Sequence, residues 1–127
     1  MAKEKNIPTA AELEILNILW QKEPLSVKEI HVELIKKKEV GYTTALKIMQ
    51  NMTNKGLLTR TLNGKSHLYS AAVKKDITQI SLLNKFIDTA FSGSASNLVM
   101  QLLGNSKTSK KELEAIKKII DEMEKNK

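Results

Sequence analysis

Cysteine is absent from the 127 residues. That removes disulfides, thiolate zinc sites and cysteine nucleophiles, and it fits a reducing cytoplasm. Aromatic residues are scarce: one Trp, two Tyr and two Phe, so aliphatic side chains and five Met must fill any core. No apolar run approaches the roughly 20 residues of a bilayer span, and no signal peptide opens the chain. Its start, MAKEKNIP, reads as a short polar lead-in. A cytoplasmic protein without membrane insertion is expected. His31 and His67 are the only histidines, and without cysteines or a tight carboxylate cluster they are expected in surface or hydrogen-bonding roles, with no metal. There is no glycine-rich phosphate loop, nucleophile elbow or paired-carboxylate motif. Glu12/Glu14 and Glu112/Glu114 lie two apart, so on a helix they do not face one another. No catalytic residue and no cofactor is expected, and the chain does not read as an enzyme.

What is present is basic. The net charge is +7. Residues 1–75 hold 13 Lys/Arg against 7 Asp/Glu, and residues 76–127 hold 8 against 7, so the excess lies in the first part. A nucleic-acid surface leaves such a footprint, although lysine-rich composition alone can do the same.

The stretch from Tyr42 to Tyr69 reads as a helix stopped by a glycine, followed by two short strands. Ala45, Met49 and Met52 share one helical face at the spacing of a buried stripe. The opposite face carries Thr43, Lys47, Gln50 and Asn54, with Asn51 at its margin, and no carboxylate stands among them to repel a polyanion. Asn and Gln match adenine in the major groove, and Lys matches phosphate or guanine. Thr43 and Thr44 open the helix, where hydroxyl and N–H groups commonly hold a phosphate; a capping role is the alternative for either. Lys55-Gly56 ends the helix with a cation and a glycine free to turn left-handed. LLTRTL and SHLYSA then alternate as half-buried strands around Asn63-Gly64, a hairpin signal. Lys65 at the tip reaches toward phosphate or minor groove, or is simply an exposed turn lysine. Arg60 is either a DNA contact or a cross-strand partner, and Tyr42 either a phosphate donor or a helix staple. The candidate DNA-binding residues are therefore Thr43, Thr44, Lys47, Gln50, Asn51, Asn54, Arg60 and Lys65.

Ahead of this stretch, Thr9 and Glu12 match a capping box for a first helix carrying Leu13, Leu16, Ile18, Leu19 and Trp20 and ending near Gln21. Trp20 reads as a packing anchor. Leu25-Ser26 forms a minimal third strand beside the hairpin, and Ser26 with Glu29 caps a second helix with Val27, Ile30, Leu34 and Ile35 facing in. Lys36-Lys37-Lys38 closes that helix. The expected fold is mainly α with a small β wing: a winged helix-turn-helix over residues 1–75, then a three-helix dimerisation region over 76–127.

In the second region, Asp76 or Thr78 caps a helix with Ile80, Leu83, Phe86, Ile87, Ala90 and Phe91 on one face. Residues 92–96 interrupt it. NLVMQLL (97–103) is a short apolar helix ended by Gly104-Asn105. Residues 108–112 start a last helix, with Leu113, Ile116, Ile119, Ile120 and Met123 spaced for burial. Three such helices are poor at making their own core. A homodimer is expected, built through Phe86, Leu98, Val99, Leu102, Leu103, Ile116 and Ile120. Its two-fold symmetry calls for an inverted repeat in double-stranded DNA, with half-sites spaced by about one helical turn or a small multiple. The competing reading is a winged-helix interaction module whose C-terminal helices dock a different protein.

The run Ala11-Glu12-Leu13-Glu14-Ile15-Leu16-Asn17-Ile18-Leu19-Trp20 resembles the AELEVMxxIW opening of the penicillinase-repressor (BlaI/MecI-type) family of transcriptional regulators. The register continues through Val27-Lys28-Glu29-Ile30, Thr44, Lys55-Gly56-Leu57-Leu58, Gly64-Lys65 and Tyr69, nearly the whole chain. The resemblance implies a dimeric repressor of resistance or homeostasis genes, inactivated in many members by proteolysis in the dimerisation region downstream of a membrane sensor protease. Lys47 and Asn51 stand where the family often has Thr and Arg, which points to a different operator. Gln101-Leu102 aligns with the Asn-Phe scissile bond of the best-known members, and is the candidate cleavage position. Copper-responsive relatives carry C-terminal cysteines, which this chain lacks.

Overall fold

The computed structural model describes residues 7–105 and 107–126, and the polar lead-in at residues 1–6 lies outside them. The element order is α1 (Ala10–Gln21), α2 (Val27–Leu34), α3 (Tyr42–Asn54), β1 (Leu58–Asn63), β2 (Ser66–Ala71), α4 (Lys75–Ala90), α5 (Ala95–Gly104) and α6 (Lys110–Lys125). Two compact units emerge, Met1–Leu82 and Leu83–Lys127.

Local chemistry starts the first two helices. Thr9 Oγ1 accepts the Glu12 N–H at 3.2 Å, and Glu12 Oε1 accepts the Thr9 N–H at 2.9 Å. Ser26 and Glu29 repeat the arrangement for α2, at 3.2 and 2.9 Å. Each box satisfies donors that a helix start would otherwise leave bare. The C-terminus of α3 is set by one glycine. Gly56 adopts φ +86°, and the Gly56 and Leu57 N–H groups donate to Thr53 O (3.1 Å) and Met52 O (2.9 Å). This is a Schellman motif, with buried Leu57 and Met52 supplying its apolar contact.

The core is aliphatic. Ile15, Leu16 and Leu19 of α1, Ile30 of α2, Ala45, Met49 and Met52 of α3, and Leu57 are fully buried, and Tyr69 of β2 nearly so. Helix α3 thus lies with one face on the core and the other in solvent. Leu25 bridges Tyr69 through both backbone bonds (3.0 and 2.8 Å), which is the expected minimal third strand. Trp20 is a packing anchor with a polar handle: its Nε1–H donates to Val73 O at 3.0 Å.

Several expectations need correction. Ile35 is 49% exposed and lies beyond the last turn of α2, as do the three lysines. The wing strands do not alternate between buried and exposed: in β1 only Leu58 is buried, because a two-stranded ribbon projecting from the body has little to pack on. The hairpin turn sits one residue later than expected. Asn63 pairs with Ser66, leaving Gly64 and Lys65 as the loop, with the positive φ (+65°) falling on Gly64. That is the pattern with glycine at the first central position. Helix α4 begins at Lys75, so neither Asp76 nor Thr78 is its cap; Thr78 instead sits inside, its hydroxyl donating to Lys74 O at 2.7 Å.

In the second unit, Ser94 and Ser109 cap α5 and α6 by accepting the N–H groups of Asn97 and Glu112, both at 3.1 Å. Ile80, Leu83 and Phe86 on α4, and Ile119, Ile120 and Met123 on α6, are exposed rather than packed within the chain. No described residue of α5 or α6 is fully buried.

Candidate nucleic-acid interface

Helix α3 turns at 100° per residue, which gathers Thr43, Lys47, Gln50 and Asn54 within about 60° of arc, with Thr44 and Asn51 flanking them. All six are exposed, and the buried Ala45, Met49 and Met52 occupy the opposite side. The cap position is Gly41, which offers no side-chain hydrogen bond, so neither Thr43 nor Thr44 is a cap. The first-turn N–H groups of α3 are consequently left open toward the solvent side, where an anion is favoured by the helix dipole. Helices α1 and α2 differ, since Glu12 and Glu29 already place carboxylates at their starts.

The surface charge follows the same division. Residues 40–75 contain no Asp or Glu. Among the described residues, the lysines held in ion pairs are Lys36 (with Glu33), Lys38 (with Glu14) and Lys55 (with Glu12), none of them on the solvent face of α3. Lys47, Arg60 and Lys65 are exposed and outside these pairs. Lys55, the cation expected to complement the C-terminus of α3, is instead turned into a bond with the buried Glu12 carboxylate. Burial works to raise the pKa of Glu12. The Lys55 hydrogen bond and charge, with the Thr9 N–H, outweigh it and hold the carboxyl below its usual value. The exposed Glu29 carboxyl is also lowered, by the Ser26 N–H first of all.

The wing meets the helix-turn-helix at a cavity of about 350 Å³, lined among others by Lys28, Tyr42, Leu46, Lys65 and His67. Lys65 is therefore brought together with the start of α3. Arg60 does not line that cavity itself but lies directly across the wing from Tyr69, which does. Lys28 and His67 were missed as site residues in the sequence. Lys28 had a usable signal, as an exposed cation in the turn that follows the Ser26 cap. For His67 there was none, because the α2 and α3 residues that share the cavity with it, Lys28, Tyr42 and Leu46, are remote in sequence. Tyr42 is 47% exposed and meets the His31 ring edge-on at 5.8 Å, while His31 Nε2 lies 2.7 Å from Val40 O. That places both at the turn joining α2 to α3.

Of the residues expected at a dimer interface, Phe86, Leu102, Leu103 and Ile120 are exposed, and Leu98, Val99 and Ile116 are half-buried. Gln101 and Leu102 are both exposed and lie within α5, not in a loop. No described helix is long and apolar enough to cross a membrane.

A sequence profile described as Penicillinase repressor matches residues 8–122. Among individual relatives, the chain is 27% identical over 125 residues to a penicillinase repressor of Staphylococcus aureus, covering 98% of this chain and 99% of that one. It is 24% identical over 113 residues to the methicillin resistance regulatory protein MecI of S. aureus strain N315, covering 89% and 92%. It is also 24% identical over 124 residues to a penicillinase repressor of Bacillus licheniformis, covering 93% and 94%. Among solved structures, the complex structure of hsRosR-S4 superposes with a TM-score of 0.56 at 15% identity, covering 99% of this chain and 98% of that one. At that identity the likeness concerns the fold.

Proposed function

The chain belongs to the penicillinase repressor family, and from that premise we propose how it acts as a winged-helix, DNA-binding transcriptional repressor and not an enzyme. Helix α3 enters the major groove. Gln50, Asn51 and Asn54 read base edges; Thr43, Thr44, Lys47 and Lys65 hold the backbone, with Arg60 as a further wing contact. The observation that carries this reading is the solvent face of α3, polar and cationic within a stretch of sequence free of carboxylates.

The active species is a cytoplasmic homodimer on an inverted repeat, with residues 1–75 on DNA and residues 76–127 joining the protomers. Support comes from the apolar side chains that α4, α5 and α6 leave exposed, among them Phe86 (51%), Leu103 (45%) and Ile120 (39%). Exposed apolar area of this extent marks a contact surface. Two tethered modules also gain affinity through effective concentration that one basic winged helix lacks. Release follows cleavage at or near Gln101-Leu102 under a membrane sensor protease. Because that bond lies within α5, the helix must first open locally to be cut.

Footprinting on the DNA upstream of its own gene, combined with light scattering of the free protein, tests this directly. A protected inverted repeat and a dimeric mass are expected. A stable monomer would instead favour the same apolar helices docking a different protein.

A further inference from the structure

The cavity where the starts of α2 and α3 meet the wing has an apolar floor and a basic rim. Val27 and Tyr69 are buried and Leu46 half-buried, whereas Lys28, Tyr42, Lys65 and His67 are exposed. Among the described residues, no carboxylate lines it. On the wing itself, His67 sits across from Leu62, and its ring lies 6.4 Å from that of Tyr69, which pairs with Arg60. The charged and titratable groups around His67 are thus Lys28 from α2, Tyr42 from α3, Lys65 from the turn, and Arg60 and Tyr69 from the strands. None is acidic. A concave site where two ammonium groups, a phenol and an imidazole converge suits a tetrahedral oxyanion, for which lysine serves as a point charge.

We infer that this cavity seats one backbone phosphate of duplex DNA, with His67 binding it as the imidazolium, so that DNA binding takes up a proton on each protomer. The inference rests on the DNA-binding reading given above. The phosphate stabilises the protonated ring by its charge and by accepting the ring N–H. The proton comes from solvent, and no bond in the DNA is made or broken. Imidazole is the side chain whose ordinary titration range lies closest to neutrality, which sets the pH window to be scanned. A tenfold gain in proton affinity on binding tightens the complex on the order of 4-fold per histidine between pH 7.5 and 6.0. Because a phosphate carries no sequence information, the effect is the same on any duplex.

Fluorescence-anisotropy titrations at fixed salt, from pH 7.5 to 6.0, test this with wild-type protein and the His67→Gln, His31→Gln and Lys28→Gln variants. The probes are the DNA upstream of its own gene and a scrambled duplex. Wild type and His31→Gln should tighten several-fold on acidification, and His67→Gln should stay flat, with unchanged thermal melting. Lys28→Gln should weaken both duplexes alike and reduce the salt slope by about 1. A pH dependence that survives in His67→Gln, or one lost in His31→Gln, overturns the inference while leaving DNA binding intact. So does an unaltered affinity in Lys28→Gln. Wild type that binds neither duplex at any pH removes the inference together with the reading it rests on.

Discussion

The Lys55 ammonium lies 2.8 and 3.0 Å from the two carboxylate oxygens of Glu12, joining the end of α3 to the start of α1. The Glu12 side chain is 8% exposed and that of Lys55 35%. Glu12 Oε1 simultaneously accepts the Thr9 N–H. One carboxylate therefore starts the first helix and anchors the last turn of the helix proposed to read DNA. A lysine that charge counting would assign to phosphate serves architecture instead.

Replacing Lys55 by Met keeps the stem but leaves a carboxylate unpaired in a nearly closed site. Urea denaturation should show a loss of about 1–3 kcal/mol, less than for a fully buried pair because Lys55 retains some solvent. The Glu12→Gln, Lys55→Met double variant should lose less than the two single losses combined.

The same pair predicts the acid limb of stability. Glu12 is held below its usual 4.5 in the folded chain, so its contribution is fully present above that value and disappears as pH falls through the lower, folded one. Urea midpoints measured from neutral to acidic pH should fall on acidification, and Glu12→Gln should flatten part of that fall. An identical acid limb in the variant would place the loss in other carboxylates. Glu29 has the same sign and adds to it.

Much of the fold was legible because it is written in short-range chemistry. Thr9 with Glu12, Ser26 with Glu29, and Gly56 each decide a helix boundary within three or four residues of chain. Part of what escaped was set at long range. Glu12 and Lys55 are 43 residues apart and Trp20 and Val73 are 53, so neither bond leaves a local pattern. The hairpin slipped by one position because Asn63-Gly64-Lys65 accommodates glycine at either central place, and strand register decides which. The start of α4 was misplaced because Thr78 bonds back to the Lys74 carbonyl from inside the helix, leaving no side-chain cap to read. The polar face of α3 was legible as a face, while the cavity that adds Lys28 and His67 required the fold.

Trp20→Phe removes the Nε1–H that satisfies Val73 O. Thermal or chemical denaturation should register a loss of about 1–2 kcal/mol, with the tertiary fold retained. An unchanged stability would mean that water replaces the indole at no cost.

Readers of sequence and holders of backbone should separate under substitution. Lys65→Gln should weaken every duplex to a similar degree and reduce the salt slope by about 1. Gln50→Ala or Asn54→Ala should relax preference at a single base position, worth about 1–3 kcal/mol per bidentate contact. If all three lower every affinity equally, the assignment of base readers on α3 is wrong.

Phe86→Asp and Leu103→Asp put a charge on exposed apolar positions of α4 and α5. Sedimentation should show monomers with an intact winged-helix unit, and operator affinity should fall by a factor of about 100 or more with loss of tethering. A dimer that survives both changes would move the interface elsewhere.

The most direct test of the account is an anisotropy titration of the full chain against the DNA upstream of its own gene and a scrambled duplex, across a salt series. The account predicts tight binding of two protomers to the upstream DNA, a steep loss of affinity with salt, and a much weaker complex with the scrambled duplex. Equal, salt-sensitive binding to both duplexes would contradict it, leaving a basic surface in place of an operator-reading repressor.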